Sequence, residues 1–419
     1  MAEPRFDLGD ERLARAAWSR LVEPGDAVAT ALVDAMGPGG ALGWVCAAVE
    51  DPAGAVRAAD GGAGTDAAAD AEAGAPAAPA FTAPQRLRRA LERWEPRLDG
   101  LDPERDLAVL DRLGGRLVTP GAPGWPARTQ DLGPQSPLCL WVRGDADLSA
   151  AFARSVALVG ARACTDYGRR VATDLGETLA SRGVTVLSGG AYGIDVAAHR
   201  GALAARGPTV AFLAGGPDRL YPAGNADVLR AVVERGGSVV SEVPPGSAPS
   251  RARFLLRNRL IAAAACATVV VEAAWRSGSL STAARARDLL RPVGAVPGPV
   301  TSMASAGCHR LLREGAVCVT DADEVVELAG DLADLAPERA ATARPGDELD
   351  PAGRRVFESL PLRGGAEPAS VARAAGLSFA ETLGVLGVLE LGGYAERVDG
   401  RWRRAPAGRA GVGARGAPA

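Results

Sequence analysis

The chain has 419 residues, enough to bury a full α/β core and carry one or two small satellites, and its 47% apolar and 23% charged residues are a globular composition. A formal charge of −3 excludes a protein that coats nucleic acid over its whole surface. Six cysteines without a CxxC pair, and only two histidines (His199 and His309), leave no zinc motif or disulfide framework, so neither a metal nor a cofactor is expected.

No run of eighteen apolar residues occurs, and residues 1–18 are too charged for a signal peptide, so the expectation is a cytoplasmic protein with no membrane partner. Residues 11–49 read as three short helices, broken at Pro24-Gly25-Asp26 and at Gly37-Pro38-Gly39-Gly40. They predict a small N-terminal helical domain over residues 1–51. Residues 52–83 are mostly Ala, Gly, Pro and Asp and read as a disordered insert, because that composition buries too little surface to offset chain entropy. Order resumes at residue 84 with a helix, then helix, turn and short strand, then a buried strand over Leu138–Asp145. From Ser155 onward, short apolar runs begin at Ser155, Val184, Thr209, Ser238, Thr268, Gly294 and Val317, with helical patterns between them. That alternation predicts a Rossmann-like doubly wound parallel sheet, a domain over residues 84–330 with its core at 155–330.

Functional loops in such sheets lie at the carboxyl ends of the strands. A linker follows at 331–348. Residues 349–405 read as three helices, the third opened by the capping box Ser378–Glu381, and a hairpin turning at Asp399-Gly400, which predicts a C-terminal winged-helix domain. A disordered tail, 406–419, completes the chain.

Several strand-end loops carry candidate binding residues. The segment SGGAYGID opens a helix directly after a strand, so Ser188, Gly189, Gly190, Tyr192 and Gly193 present backbone N–H groups to an anion or, on the plainer reading, only shape a tight turn. Asp195 and His199 are four apart on that helix and read as partners in structural support, with a catalytic dyad as the alternative. Arg162 follows Gly160 at the end of the first core strand. In FLLRNR, Phe254 and Arg257 share a helix face beside Asn258 and Arg259, an aromatic to stack a base and a cation for its phosphate. Ser277, Gly278 and Ser279 offer hydroxyls and N–H groups at another helix start, and Glu272 beside them is read as a support for Arg257 or Arg259. The chain contains no lysine. Between residues 245 and 291 eight arginines (251, 253, 257, 259, 276, 285, 287, 291) face only Glu272 and Asp288, a basic stretch in an acidic chain.

Taken together, VGARACTDYG, SGGAYGID followed by AAH, LAGGPDRLYPAGN, SEVPPG, FLLRNRLIA, VVVEA with SGSLSTA, and VPGPV resemble the DNA-processing protein A (DprA/Smf) family. The resemblance implies a non-catalytic single-stranded DNA binder that dimerises through its Rossmann domain, protects incoming strands in natural transformation and helps load RecA. The family's glycine loop usually reads S-G-L-A-R-G-I-D. Here Gly190 replaces the leucine and Tyr192 the arginine, which removes a phosphate contact and offers a ring for stacking. The third helix of the winged-helix domain carries Glu381, Thr382 and Glu390 where a groove reader needs cations, so Arg397, Arg401, Arg403 and Arg404 of the hairpin stand for DNA contact against a protein-docking role. The rival class is a nucleoside-monophosphate glycosidic-bond hydrolase on a related fold, with Glu272 and Asp195 as its carboxylates. An NAD-dependent dehydrogenase lacks its GxGxxG after the first strand.

Overall fold

A computed structural model describes residues 4–55, 84–330, 349–362 and 364–405, which fall into two compact units, 1–335 and 336–419. The expected linker and tail, and the expected insert from residue 56 on, lie outside the described residues.

The first unit opens with helices Glu11–Leu21 and Ala27–Ala48, the second bent where Gly37 leaves the helical region and Pro38 follows. Asp10 and Asp26 cap them, each accepting two backbone N–H groups of the first turn. Ala27–Ala48 is long and apolar enough to span a bilayer by composition. Its bend, and the packing of Leu32, Leu42 and Val45 against Trp18 and Trp94, fit a core helix. Helix Pro84–Leu98 packs into this same cluster through Leu87, Leu91 and Trp94. Residues 84–98 therefore belong by packing with the front helices.

The sheet has nine strands in the order β1-β2-β6-β5-β4-β3-β7-β8-β9. β1 (Gly115–Val118), at one edge, pairs antiparallel with β2 (Leu140–Gly144), which in turn runs antiparallel to β6. The other seven, β3 (Ser155–Val159), β4 (Thr185–Gly189), β5 (Thr209–Phe212), β6 (Ser238–Ser241), β7 (Ala267–Val270), β8 (Val293–Ala295) and β9 (Val317–Cys318), are parallel. Side chains of β3 alternate faces. Ala157 and Val159 join one core with helices Arg251–Ala264 and Ser279–Asp288, while Val156 and Leu158 join the other with helices Asp166–Ser181 and Ile194–Ala204. Helices on both faces explain why these strands are apolar throughout rather than alternating. The order reverses between β3 and β7: β4, β5 and β6 build outward on one side of β3, and β7, β8 and β9 on the other. The loops after β3 and β7 leave in opposite directions there and open a crevice at the strand ends.

The second unit contains helices Pro351–Ser359, Pro368–Ala375 and Phe379–Leu391 and the antiparallel hairpin β10 (Ala395–Val398) and β11 (Arg401–Arg404) around a core of Val356, Val371, Leu386 and Trp402. The expected capping box at Ser378 and Glu381 is present.

Candidate nucleic-acid interface

A cavity of about 890 Å³ occupies that crevice. One wall is the loop after β3, with Gly160 and Arg162. Another is the start of helix Arg251–Ala264, with Arg251, Phe254, Arg257 and Asn258. A third is the loop after β7, with Arg276, Ser277, Gly278 and Ser279. The helix opening at Ser279 has no side-chain cap; Ser277 and Ser279 bond each other through their hydroxyls at 2.7 Å, and its positive end faces the cavity.

The cations divide into floor and rim. Arg257 is buried at the floor, where its Nη1 donates to the Phe212 carbonyl at 2.7 Å. Burial pushes its pKa below the usual arginine value, and Asp195 partly restores it. A Cβ at residue 189 would stand 2.0 Å from Arg257 Nη1, so Gly189 makes the seat for this guanidinium. Arg162 lies on the rim with its guanidinium 4.6 Å from the centroid of the Phe254 ring, a cation–π stack, and the Tyr221 ring lies 6.1 Å from the other aromatic. Arg162, Arg251 and Arg276 are exposed and have no ion-pair partner among the described residues. Asp195 is buried beside them. Burial raises its pKa; the Arg257 charge and the Ala191 N–H, 3.4 Å from its carboxylate, act the other way.

Several expected site residues lie elsewhere. Arg259 is 2% exposed and its Nη2 meets Glu242 at 2.6 Å, beneath Gly25 of the front helices, so it is a structural ion pair out of reach of any strand. Ser188 is buried, with its hydroxyl spent on the Leu158 carbonyl at 2.6 Å, and Gly189 and Gly190 are buried with it. Gly193 takes φ +80° and lies against the Ala161 carbonyl, which also accepts the Ile194 N–H. That carbonyl stands where an anion was expected at this helix start. Tyr192 is half exposed, with its hydroxyl against Gly224, outside the cavity lining.

The support residues are also reassigned. His199 bonds Thr209 Oγ1 at 2.7 Å and the Gly189 carbonyl at 2.9 Å, not Asp195, and burial lowers its pKa to about 4. With an acceptor-only carbonyl at Nε2, the neutral ring carries its proton there. Glu272 holds neither arginine; it accepts the Thr165 N–H at 2.8 Å and the Thr165 hydroxyl at 2.6 Å. Its carboxylate and that of Asp195 do not share the cavity, which removes the paired carboxylates that glycosidic hydrolysis needs.

Sequence reasoning left Arg251, Arg276 and Tyr221 out of the site. The two arginines had a signal in the basic stretch, and Tyr221 had one in the segment LAGGPDRLYPAGN of the loop after β5, but nothing in the sequence showed that its ring meets Phe254.

A family model described as DNA recombination-mediator protein A matches residues 116–330. The chain is 51% identical over 325 residues to the "Putative DNA processing protein DprA" of Mycobacterium tuberculosis, covering 75% of this chain and 83% of that protein. It is 42% identical over 191 residues to "Protein Smf" of Escherichia coli, covering 46% and 50% respectively. Among solved structures it resembles DNA processing protein A from Streptococcus pneumoniae at 31% identity and a TM-score of 0.51, over 58% of this chain and 84% of the other.

Proposed function

Because the chain belongs to the DNA recombination-mediator protein A family, one of DNA-processing proteins rather than enzymes, we propose that its crevice holds single-stranded DNA without regard to sequence and performs no reaction on it. The observation that carries this is the set of three exposed, unpaired arginines, Arg162, Arg251 and Arg276, around an aromatic surface at the switch point of the sheet. The guanidinium forks take phosphates, and the Phe254 and Tyr221 rings take the faces of unstacked bases. A duplex keeps its bases stacked inside and offers those rings nothing, so single strands bind preferentially.

In the same proposal the protein works in the cytoplasm, guards incoming strands in natural transformation and hands them to RecA as a homodimer; the family's description as a recombination mediator supports the hand-over step. The second unit serves as a winged-helix docking module rather than a reader of DNA. Its element order supports the assignment, and the pairing of its hairpin arginines speaks against a phosphate surface.

The test is fluorescence anisotropy with single- and double-stranded oligonucleotides of one length across a salt series. Preference for the single strand is expected, with log affinity falling by about 0.7 per phosphate contact for each unit of log salt. Equal affinity for the two forms would overturn the reading.

A further inference from the structure

Trp275 stands apart from the other aromatic residues of its type. The chain has seven tryptophans, and Trp18, Trp44, Trp94, Trp125, Trp141 and Trp402 are all buried, while Trp275 is 51% exposed. It lies in the turn after β7, between Ala274 and Arg276, both of which line the cavity. Its ring is held rather than loose. The Arg310 guanidinium lies 5.7 Å from its centroid, and Arg310 is anchored by Glu314 at 2.7 Å, which also accepts from Arg287 at 2.9 Å.

Leaving a large aromatic half in water costs hydrophobic stabilisation, and fixing it there with a chain of two ion pairs costs side-chain entropy. A pre-positioned, solvent-facing ring at the lip of a cationic crevice is what a polynucleotide needs as it leaves. Trp275 is not itself in the cavity lining, but it adjoins Arg276, so a strand held by that guanidinium leaves the cavity past the turn that carries the indole.

Resting on the single-strand reading above, we propose that Trp275 is a second stacking platform, on the lip opposite Phe254 and Tyr221, so that the bound strand runs across the crevice and over the β7 loop toward helix Ala306–Arg313. The footprint is then longer than the cavity alone accounts for. Only strands that extend past the lip use it.

Because the other six indoles are buried, quenching of tryptophan emission by acrylamide reports on Trp275. The full-length protein is titrated with six-nucleotide and twenty-nucleotide oligothymidylates, following strand anisotropy and acrylamide access together. The longer strand is expected to shield the accessible indole. Trp275→Ala is expected to weaken the longer strand about tenfold and leave the shorter one unchanged, with Trp275→Phe restoring most of the loss. The proposal is overturned if the longer strand binds Trp275→Ala with wild-type affinity, or if both lengths weaken equally, which would mark a distortion of the crevice. It is also overturned if the indole becomes shielded with rising protein concentration in the absence of DNA, which would assign it to contact between copies. Failure of the wild-type protein to bind either strand would instead remove the single-strand reading itself.

Discussion

The rim of the crevice and the hairpin of the second unit are both rich in arginine, yet they differ in what the arginines do. At the rim, Arg162, Arg251 and Arg276 make no ion pair among the described residues, although the buried Asp195 lines the same cavity. In the hairpin, Arg403 donates to Glu396 at 2.7 Å, Arg404 donates to the Phe357 and Glu358 carbonyls at 3.0 Å and stacks over the Phe357 ring, and Arg401 lies 3.7 Å from Glu367. Arg397 and Arg404 of that group have no ion-pair partner among the described residues, and Arg404 is instead taken up by the two carbonyls and the ring. Helix Phe379–Leu391 adds no cation, exposing Phe379, Leu383, Val388 and Leu391 instead. A cation already satisfied inside the protein must break that contact to meet a phosphate, so the number of arginines in a segment says little about its affinity for DNA.

The contrast repeats within one helix, and there the largest effect is expected. Arg259→Ala leaves Glu242 buried without its partner and should cost about 3–5 kcal/mol of stability in denaturant unfolding, while the protein that remains folded keeps its affinity for single strands. A loss of affinity without a loss of stability would mean that Arg259 reaches the strand after all.

Next in size is the combined replacement of Arg162, Arg251 and Arg276 by alanine. Affinity for a single strand should fall by on the order of 100-fold, and the slope of log affinity against log salt should flatten by about 2, with melting temperature nearly unchanged. An unaltered salt slope would erase the distinction between open and spent cations.

His199 is another polar group that the fold keeps for itself. Its pKa falls from 6.5 to about 4 through burial, so below pH 6.5 the unfolded chain takes up a proton that the folded chain refuses. Its contribution is complete above pH 6.5 and is lost on acidification toward pH 4, by at most about 1.4 kcal/mol per pH unit. Chemical denaturation of His199→Asn over this range should show that slope removed. The smallest effect is expected in the hairpin, where Arg397→Ala together with Arg401→Ala should change single-strand affinity less than about twofold, within the range of exposed charges.

Much of this architecture was legible in the sequence. Short β-rich apolar runs separated by helical periods specify a parallel sheet covered on both faces, and all seven expected core strands are present, with bounds shifted by a residue or two. Phe254, Arg257 and Asn258 were legible as a group because one helix places them, and Gly160, Arg162 and Ser277 to Ser279 because strand ends share one edge of the sheet. The reading failed where a residue's role depends on a neighbour distant in the chain. Ser188 and His199 point inward because β3 and β5 flank them, and Glu272 meets Thr165 across 107 residues.

By itself, then, the sequence determined the periodicities, the strand-end loops and the excess of arginine near residues 245–291, since each is a local property of composition and spacing. Only the tertiary structure decided which of those eight arginines remain open. Arg253 goes to Glu23, Arg259 to Glu242, Arg285 to Asp288, Arg287 to Glu314 and Arg291 to Asp131, and Arg257 sinks into the floor, leaving Arg251 and Arg276 at the water. The physical reason is that charge pairing acts through space over a few ångströms, and four of those five acids come from other elements of the fold.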